Sequence, residues 1–556
     1  MKSIDRTNLA RRFRTTSQLI QCLLAICAFG SVTVSTASAA PAIVTDTGPL
    51  KGIETPTTNQ YLGIPYAVPP VGDLRWMPPV PHGKWHGVFQ ANQFGNVCVQ
   101  PGGGGTIGSE DCLTLNIYTP SGKKNQNKHH GLPVMVWIHG GALVTGGSAV
   151  YDSTRLVEQG GVVVVTINYR LGFLGFFAHP AIDAEGHLNG NYGFMDQQLA
   201  LQWVQRNISA FGGDPSRVTI FGESAGGQSV YSNLASPTAA GLFSRAIAES
   251  GTYDQFQDYW DPVTIVLLAQ AETFGTPFVS GGTAIAASVG CSSGSPGQMA
   301  ACLRGVLAST IIEQEPTLVF PFIDGTILTQ TLSKAFALGE FNRVPVITGT
   351  NHDEYRLFVP NGLMTEADYE AAVDALWGGF GAGFPPLIFD VLYPLINYPT
   401  VPPYTNPSPG IALGASGTDG VFACPEHNAA LLLSKFVPTY AYEFNDENAP
   451  FLFQPFFNFP FGAYHTAELQ YLFDGDFFGF GIAPLSPAQE QLSEAMISYW
   501  TTFAANGDPN SSGQPLWSPY SSATDQFQSL IPPMPMVEPG FSFDSEHLCS
   551  SFWSAF

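Results

Sequence analysis

The sequence predicts an α/β fold in which a large, mostly parallel sheet is covered by helices on both faces. Three observations lead to this fold class. All-apolar, β-branched runs at 133–138 and 162–167 are typical of parallel strands buried on both faces. The segment 195–207 repeats its apolar residues at helical spacing, so that they share one face. Strand-like and helix-like segments alternate along this part of the chain, as they do in a series of βαβ units.

Further elements are predicted on both sides of this region. Residues 63–76 are punctuated by prolines, which restricts them to loops and strand edges. Residues 113–118 alternate as a strand, and 343–349 form another strand. The segment 98–112 encloses four consecutive glycines and is predicted to be a small flexible loop rather than a helical flap. Residues 252–340 are interpreted as helices and loops inserted above the sheet.

The first 39 residues have the features of an export signal. Five basic side chains lie among the first 14 residues, residues 19–34 are apolar, and Ala37-Ser38-Ala39 fits a small-residue cleavage site. The pair Arg11-Arg12 hints at a twin-arginine route, but an ordinary basic segment is the simpler interpretation. We therefore predict a signal peptide over 1–39 and one large domain over 40–556.

Charge and hydropathy exclude several classes of function. Of the 556 residues only 12% are charged, and the net charge is −23. An acidic surface repels nucleic acid, so a nucleic-acid partner is not expected. After the leader no run of some 18 apolar residues remains, so we expect no membrane anchor. These observations predict an exported, soluble protein.

Six cysteines remain once the predicted leader is removed: Cys98, Cys112, Cys291, Cys302, Cys424 and Cys549. An even number in an exported chain suggests disulfides, for which 15 connectivities are possible. The sequence-local pairs Cys98–Cys112 and Cys291–Cys302 are the first choice, and Cys424–Cys549 would then tie the C-terminal end to the body. No Cys-x-x-Cys or His-x-x-x-His spacing is present, so no metal is expected.

A candidate nucleophile follows the strand-like run at 218–221. The run enters Gly222-Glu223-Ser224-Ala225-Gly226, which has the Gly-x-Ser-x-Gly pattern of a tight strand-to-helix turn. Such a turn exposes the serine hydroxyl above the sheet, and the N-terminus of the helix behind it favours negative charge. Five-residue patterns recur by chance, but the preceding strand and the small residues that follow favour Ser224 as a nucleophile.

A second turn can supply hydrogen-bond donors to the same edge of the sheet. The strand 133–138 runs into His139-Gly140-Gly141-Ala142. A glycine-rich turn at the carboxyl end of a strand can point backbone N–H groups into an open site, as half of an oxyanion hole does. The alternative, an ordinary glycine loop, would be preferred without Ser224.

Chain order narrows the remaining catalytic candidates. Asp353 and Glu354 follow the predicted strand 343–349 and are candidate acids, although acidic pairs in loops are usually only solvated. Hydrolases with this serine turn run serine, acid, histidine along the chain. Three histidines follow Glu354, and His465 is preferred because small residues precede it and a helix capped by Thr466 follows. His427 lies in a helix-like stretch, and His547 lies beside Cys549.

Together these segments resemble the type-B carboxylesterase and cholinesterase family of α/β hydrolases. The matching stretches are 109–118, 168–172, 191–197, 211–215, 222–227, 350–354 and 465–473. The resemblance implies Ser224 as nucleophile, Glu354 rather than Asp353 as acid, and His465 as base. It also implies Gly141, Ala142 and Ala225 as oxyanion donors, Ser250 and Glu223 as supporting residues, and the same three cysteine pairs.

The resemblance implies a fold and an activity. The fold would be an α/β hydrolase with helical and loop insertions over the site. The activity would be that of a secreted serine carboxylic-ester hydrolase that needs no cofactor and passes through an acyl-enzyme. Phenylalanine-rich segments at 451–461 and 477–480 would line an apolar pocket or belong to the core, so uncharged esters are expected. The alternatives are a lipase for longer-chain glycerides, which the short 98–112 loop does not favour, and a non-catalytic recognition module.

Overall fold

The structure is a computed structural model. It describes residues 38–122, 131–188, 190–252, 282–314, 319, 321–359, 364–377, 387–398, 408–451, 459–475, 483–538 and 542–555. The predicted signal peptide lies outside these residues except for Ser38 and Ala39, and the aromatic segment 477–480 lies outside them as well.

A twelve-stranded sheet forms the centre of the molecule. Its strands, in chain order, are β1 (Ser38–Ala39), β2 (Ile53–Glu54), β3 (Thr58–Pro65), β4 (Thr114–Pro120), β5 (Leu132–Ile138), β6 (Val163–Ile167), β7 (Gly213–Glu223), β8 (Arg245–Glu249), β9 (Val346–Asn351), β10 (Thr439–Phe444), β11 (Gln528–Leu530) and β12 (Met536–Val537). In space they are arranged as β1-β2-β3-β4-β6-β5-β7-β8-β9-β10-β11-β12.

The pairing is parallel from β6 to β11 and antiparallel at both ends of the sheet. β5 and β7 lie side by side, with Ile138 opposite Gly222. The turns that follow these two strands therefore leave the same edge of the sheet. This register brings the predicted glycine turn beside the predicted serine turn.

The core lies on both faces of the sheet because alternate residues of a strand point to opposite faces. Along β5, Val134, Val136 and Ile138 pack in one buried apolar cluster, and Met135 and Trp137 pack in the other. Both sets are fully buried. The strand is therefore apolar throughout, as the sequence predicts, because neither face is solvated.

Helices cover the two faces of the sheet. The α-helices are Thr154–Gly160, Gly172–Gly175, Pro180–Asp183, Tyr192–Asn207, Ala225–Ala235, Gly282–Ser288, Pro296–Gly305, Ala308–Ile312, Leu332–Leu338, Glu366–Trp377, Leu387–Leu392, Ser408–Gly417, Cys424–Leu433, Leu469–Leu472, Pro487–Asn506 and Ser542–Glu546. Short 3-10 turns run over Gly72–Leu74, Ser148–Val150, Ile208–Phe211, Pro237–Ala239, Glu354–Phe358, Leu395–Asn397 and Trp553–Ala555, and Thr418–Ala423 is a π-helix. In the part of the chain described above, no helix is both long and apolar enough to cross a membrane.

Three smaller sheets complete the strands. They pair Ile43–Thr45 with Gly48–Lys51 and Phe89–Gln90, Phe176–Phe177 with Gly190–Asn191, and Gln100–Gly102 with Gly105–Ile107. The last pair shows that the glycine-rich segment between Cys98 and Cys112 is a β-hairpin, not merely a loop. The loop prediction was wrong because the glycines allow a two-residue connection, and Gly105, the first residue of the second strand, has φ +128°.

All three predicted cysteine pairs are disulfides in the structure. Cys98–Cys112 closes the hairpin, and Cys291–Cys302 joins the segments of two short helices. Cys424–Cys549 spans 125 residues and ties the C-terminal segment to the helix that begins at Cys424. These bonds are consistent with an oxidising compartment.

Candidate active site

Ser224 lies in a strained turn between β7 and the Ala225–Ala235 helix. Its φ and ψ are 59° and −126°, a region that residues with a side chain rarely occupy. A Cβ on Gly226 would lie 2.0 Å from the Ile138 carbonyl oxygen, and one on Gly222 would lie 2.5 Å from the same atom. Glycine is therefore required at both positions, because β5 passes directly beneath the turn. Ser224 keeps 7% of its surface exposed.

The glycine turn after β5 lies against Ser224. A Cβ on Gly140 would lie 3.0 Å from the Cβ of Ser224. The next three residues, Gly141, Ala142 and Leu143, all have left-handed φ values of 103°, 58° and 60°. The turn closes through N–H groups of the following two residues, which donate to the Gly141 carbonyl oxygen at 3.0 and 2.9 Å.

The donors expected for an oxyanion come from this turn and from the adjoining helix. Gly141 and Ala142 are partly exposed, so their backbone can face a bound molecule. Ala225 is the first residue of its helix, and the first N–H groups of a helix have no partner within it. The three predicted donors thus flank Ser224 from two elements that meet at the sheet edge.

His465 and Glu354 form a direct hydrogen-bonded pair. The Nδ1 atom of His465 lies 2.5 Å from Oε2 of Glu354, and both side chains are buried. The other oxygen of Glu354 accepts hydrogen bonds from the Thr350 hydroxyl at 2.9 Å and from the Asn351 N–H at 2.7 Å. These donors stabilise the ionised carboxylate, which in turn fixes the proton of His465 on Nδ1.

The opposite ring nitrogen of His465 faces the serine turn. Its Nε2 lies 3.2 Å from Oε1 of Glu223, the residue that precedes Ser224, without forming a hydrogen bond. The structure therefore places the His465–Glu354 pair against Glu223, the residue that precedes Ser224 in the serine turn. Ser250, the other predicted supporting residue, is fully buried behind this edge, and its N–H donates to the Gly349 carbonyl oxygen at 2.8 Å.

Asp353, the neighbouring acidic candidate, has a different role. It forms an ion pair with Arg356 at 2.8 Å and accepts a hydrogen bond from the Ala463 N–H at 2.9 Å. Burial raises the pKa of Asp353, but Arg356 and His352 more than offset it and bring the pKa to about 2. Asp353 therefore fastens the Glu354 turn to the His465 loop and does not contact the imidazole.

The two alternative histidines lie in other parts of the structure. His427 pairs with Asp525 at 2.7 Å. His547 is buried between Asp419 and Glu443, at 2.6 and 2.7 Å from its two ring nitrogens. Burial lowers the pKa of His547, but the two carboxylates outweigh it and raise the pKa to about 10. A histidine held charged in this way cannot serve as a general base near neutral pH.

Three more buried glutamates surround the Glu354–His465 pair. Burial is the first cause that raises the pKa of Glu223, Glu249 and Glu468, and neighbouring carboxylates raise it further. For Glu468 the value is about 8. Four carboxylates this close together cannot all be ionised. Of the four, Glu354 is the one that receives hydrogen bonds from Thr350, Asn351 and His465.

Comparisons with known proteins agree with this architecture. A family model described as the carboxylesterase family matches residues 39–538. The chain belongs to the carboxylesterase family. It is 35% identical to the cocaine esterase of Homo sapiens over 89% of each chain. It is also 35% identical to the acylcarnitine hydrolase of Mus musculus, over 85% of this chain and 83% of that protein.

A solved structure gives the same result. A PNB esterase superposes with a TM-score of 0.69 and 31% identity over 91% of this chain and 98% of its own. The predicted α/β-hydrolase fold is therefore confirmed, and the protein is a carboxylic ester hydrolase.

Two aromatic side chains at the site of this carboxylesterase escaped sequence reasoning. The rings of Phe358 and Phe422 lie 5.2 and 5.0 Å from the His465 ring. They come from the Glu354–Phe358 turn and from the π-helix Thr418–Ala423. Phe358 is four residues beyond Glu354, which is a local signal, but nothing in the sequence relates Phe422 to His465.

The described phenylalanines at the two ends of the aromatic segment 451–461 pack near the loop of His465. Residues 452–458 lie outside the described residues, but Phe451 and Phe461 stack at 3.8 Å, and Phe451 meets the Tyr464 ring edge-on at 4.8 Å. Phe459 is buried in a third apolar cluster. The described phenylalanines of this segment are therefore core residues.

One group of metal-ligating residues lies away from the sheet edge. His427, Asp544 and Cys549 place one ligand atom each within 4.8 Å of one another. The sulfur of Cys549 is bonded to Cys424, so it is not a thiolate that could bind an ion.

Proposed function

We propose that this carboxylesterase uses Ser224, His465 and Glu354 as a catalytic triad and passes through an acyl-enzyme. The observation that carries the proposal is the His465–Glu354 hydrogen bond of 2.5 Å next to a strained serine turn. A serine is a weak nucleophile unless a base removes its proton, and the base must be held in the correct tautomer. Glu354 meets that requirement by accepting a hydrogen bond from the Nδ1–H group of His465.

The mechanism proceeds in two halves. His465 Nε2 takes the hydroxyl proton of Ser224 as its Oγ attacks the ester carbonyl carbon, and the imidazolium then protonates the departing alcohol. In the second half, water gives a proton to His465 Nε2 as its oxygen attacks the carbonyl carbon of the acyl-enzyme. The bond to Ser224 Oγ then breaks, His465 returns the proton to Oγ, and the acid is released. Glu354 stays ionised throughout and stabilises the imidazolium.

The developing oxyanion is assigned to the N–H groups of Gly141, Ala142 and Ala225. The left-handed turn and the helix N-terminus fix these groups before substrate arrives, so no reorganisation is needed in the transition state. Each donor of this kind contributes about 3 to 4 kcal/mol. Because the groups belong to the backbone, Ala142 serves as well as a glycine would.

The substrates are proposed to be uncharged esters with apolar acyl or alcohol groups. The aromatic rings of Phe358 and Phe422 beside His465 present an apolar wall to whatever is bound there. The net charge of −23 disfavours anionic substrates. Proteins similar to this chain are named cocaine esterase, acylcarnitine hydrolase and pyrethroid hydrolase.

Export is part of the same proposal. The leader at 1–39 and the single domain at 40–556 are inferred from the sequence, and three disulfides support an oxidising compartment. N-terminal sequencing of the secreted protein tests the processing site. A mature chain that begins near residue 40 is the expected result, and retention of the first 39 residues would contradict it.

A panel of p-nitrophenyl esters of increasing acyl length tests the catalytic proposal. The wild type should hydrolyse short and medium acyl chains, and Ser224→Ala should lose activity by several orders of magnitude. The control is Ser292→Ala, which changes an exposed serine to which no role is assigned. If Ser224→Ala hydrolyses the panel as fast as the wild type, the triad is wrong.

A further inference from the structure

A buried carboxyl group behind the active site is surrounded by three hydroxyls. Glu426 is completely buried and stands near the start of the Cys424–Leu433 helix. Its Oε1 atom is bonded by the hydroxyls of Tyr231, at 2.5 Å, and of Thr348. Its Oε2 atom accepts from the Thr252 hydroxyl at 2.9 Å. These four residues are called the Glu426 cluster below.

The local sequence explains how Glu426 reaches this position. Pro425 has no N–H group and its ring crowds the preceding turn, which disfavours an ordinary α-helix there. The chain widens into the π-helix Thr418–Ala423, where the Cys424 N–H donates to the Asp419 carbonyl oxygen, five residues back. The wide turn brings Phe422 and Glu426 to the same side, towards the carboxyl ends of β8 and β9.

Counting protons indicates which form of Glu426 the cluster holds. The hydroxyl oxygens of Tyr231 and Thr348 contact each other as well as Oε1 of Glu426, so three oxygens make three mutual contacts. Each contact needs one hydrogen, but the two hydroxyls carry only two. A proton on Glu426 supplies the third and closes the ring of hydrogen bonds.

The surroundings of Glu426 agree with a retained proton. The titratable or charged groups that face it are Tyr231 from the serine helix, Glu354 from the acid turn and Tyr442 from β10. Burial raises the pKa of Glu426, the three hydroxyls lower it, and the Glu354 carboxylate raises it, with a result of about 7. Burial and the negative charge of Glu354 thus both favour the neutral acid.

Two paths connect the Glu426 cluster to the proposed triad. Thr348 and Thr350 are alternate residues of β9 and point to the same face, and Thr350 donates to Glu354 at 2.9 Å. Thr252 lies within hydrogen-bond distance of both Glu426, at 2.9 Å, and the carbonyl oxygen of Phe422, at 3.3 Å.

The second path depends on a single proton. The hydroxyl of Thr252 has one hydrogen, so it donates to Glu426 or to Phe422 but not fully to both. An ionised Glu426 would hold that hydrogen more strongly than the neutral acid does, and the contact between Thr252 and the Phe422 carbonyl oxygen would weaken. The ring of Phe422 lies 5.0 Å from the ring of His465, so the histidine would lose a fixed neighbour.

We propose that Glu426 keeps its proton in the active enzyme and is a positioning residue for Glu354 and His465. It acts on Glu354 through Thr348 and β9. It acts on His465 through Thr252, which contacts the Phe422 carbonyl oxygen in the π-helix. Loss of the proton opens the ring of hydrogen bonds and loosens both partners. The inference rests on the triad proposed above.

The kcat/KM of Glu426→Gln measured against pH tests the inference. The amide has the shape of the acid. It accepts hydrogen bonds only at its oxygen and donates them from its NH2 group at every pH, so it mimics the protonated carboxyl group. The rate should be followed by titrating the released acid, with Glu447→Gln, which removes an exposed carboxylate, as the matched control. As pH rises through about 7, the ratio of kcat/KM for the variant to that for wild type should increase roughly 2- to 10-fold, the factor for one hydrogen bond.

Two further measurements test the same inference, and the second does not use that variant. The infrared spectrum of the wild type below pH 7 should contain a protonated carboxyl band that is absent from Glu426→Gln. Thr252→Val should lower kcat by a similar 2- to 10-fold factor, because it removes the hydroxyl that contacts both Glu426 and the Phe422 carbonyl oxygen.

The outcomes separate this inference from the proposed function. If Glu426→Gln follows the wild type at every pH, if the infrared band is absent, or if Thr252→Val keeps its kcat, the role of Glu426 is wrong while the triad stands. If Ser224→Ala is as active as the wild type, the triad fails and this inference falls with it. A ratio that rises for Glu447→Gln as well would show a general surface-charge effect and would also overturn the role of Glu426.

Discussion

Glu354→Gln is the substitution for which the structure gives the most specific expectation. Three donors converge on the Glu354 carboxylate: the Thr350 hydroxyl, the Asn351 N–H and the His465 Nδ1–H. A carboxylate offers two acceptor oxygens, but an amide offers one oxygen and one N–H group. If the amide oxygen faces Thr350 and Asn351, its N–H group faces His465 and forces the proton of that ring onto Nε2.

The wrong tautomer would remove the base from the reaction. With its proton on Nε2, His465 can no longer accept the proton of Ser224. A carboxylate-to-amide change at the acid of a serine protease triad lowers kcat about 10⁴-fold, and the same geometry predicts that loss here. It corresponds to about 5 kcal/mol of transition-state stabilisation. The KM should change little, because the amide does not contact the substrate.

Asp353→Asn is the matched control, since it makes the same chemical change one residue earlier. It breaks the 2.8 Å ion pair with Arg356, which is only 16% exposed, and we expect it to lower the free energy of unfolding by about 3 kcal/mol. Its kcat should stay within tenfold of the wild type. Steady-state hydrolysis of a p-nitrophenyl ester and urea unfolding of both variants provide the assay. A kcat of Glu354→Gln within tenfold of the wild type, or a larger loss in Asp353→Asn, would refute the assignment.

Three other predictions concern the frame around the site. Because the pKa of His547 is raised from 6.5 to about 10, its stabilisation is complete below about pH 6.5 and is lost as pH rises through 10. Urea unfolding of His547→Gln should therefore show a deficit of about 3 to 5 kcal/mol at pH 6 that shrinks towards pH 10, and a pH-independent deficit would contradict this. Replacing Cys424 and Cys549 together by alanine should lower the free energy of unfolding by up to about 5 kcal/mol, and an unchanged urea midpoint would count against the bridge. Gly226→Ala places a Cβ 2.0 Å from the Ile138 carbonyl oxygen and should abolish esterase activity or soluble expression, so a fully active variant would show that the turn is looser than described.

The parts of the fold that could be predicted are those with local signals. β5, β6 and β7 are apolar throughout or end in a glycine turn. The carboxyl end of each strand lies within two residues of the end that the sequence predicts. The disulfides followed from sequence-local pairs, which left only Cys424 and Cys549 to join. The edge at which the candidate residues meet follows from parallel pairing, because the carboxyl ends of parallel strands lie together.

Local backbone geometry produced one wrong expectation. Thr466 was expected to cap a helix after His465, but it adopts a left-handed φ of 76°, and the helix begins at Leu469 with Glu468 at its N-cap position. A threonine cap needs extended backbone, and the tight loop that brings His465 to Glu354 does not provide it. The preference for His465 over the other two histidines thus rested in part on a helix cap that the structure does not contain.

Contacts between distant segments could not be predicted at all. Thr348 and Tyr231 reach Glu426 across 78 and 195 residues, and a one-residue change of register in β9 would turn Thr348 to the opposite face. In the same way, the pairing of Asp353 with Arg356 rather than with His465 depends on the exact course of the acid turn. Such contacts arise only after the sheet and its insertions have packed.

The most direct test of the central claim is to locate the covalent adduct left by a serine-directed organophosphonate. Peptide mass spectrometry should find one adduct, on Ser224, in parallel with complete loss of esterase activity. The Ser224→Ala variant should take up no label. Stoichiometric labelling of another residue with loss of activity, or full inactivation without any adduct on Ser224, would contradict the account.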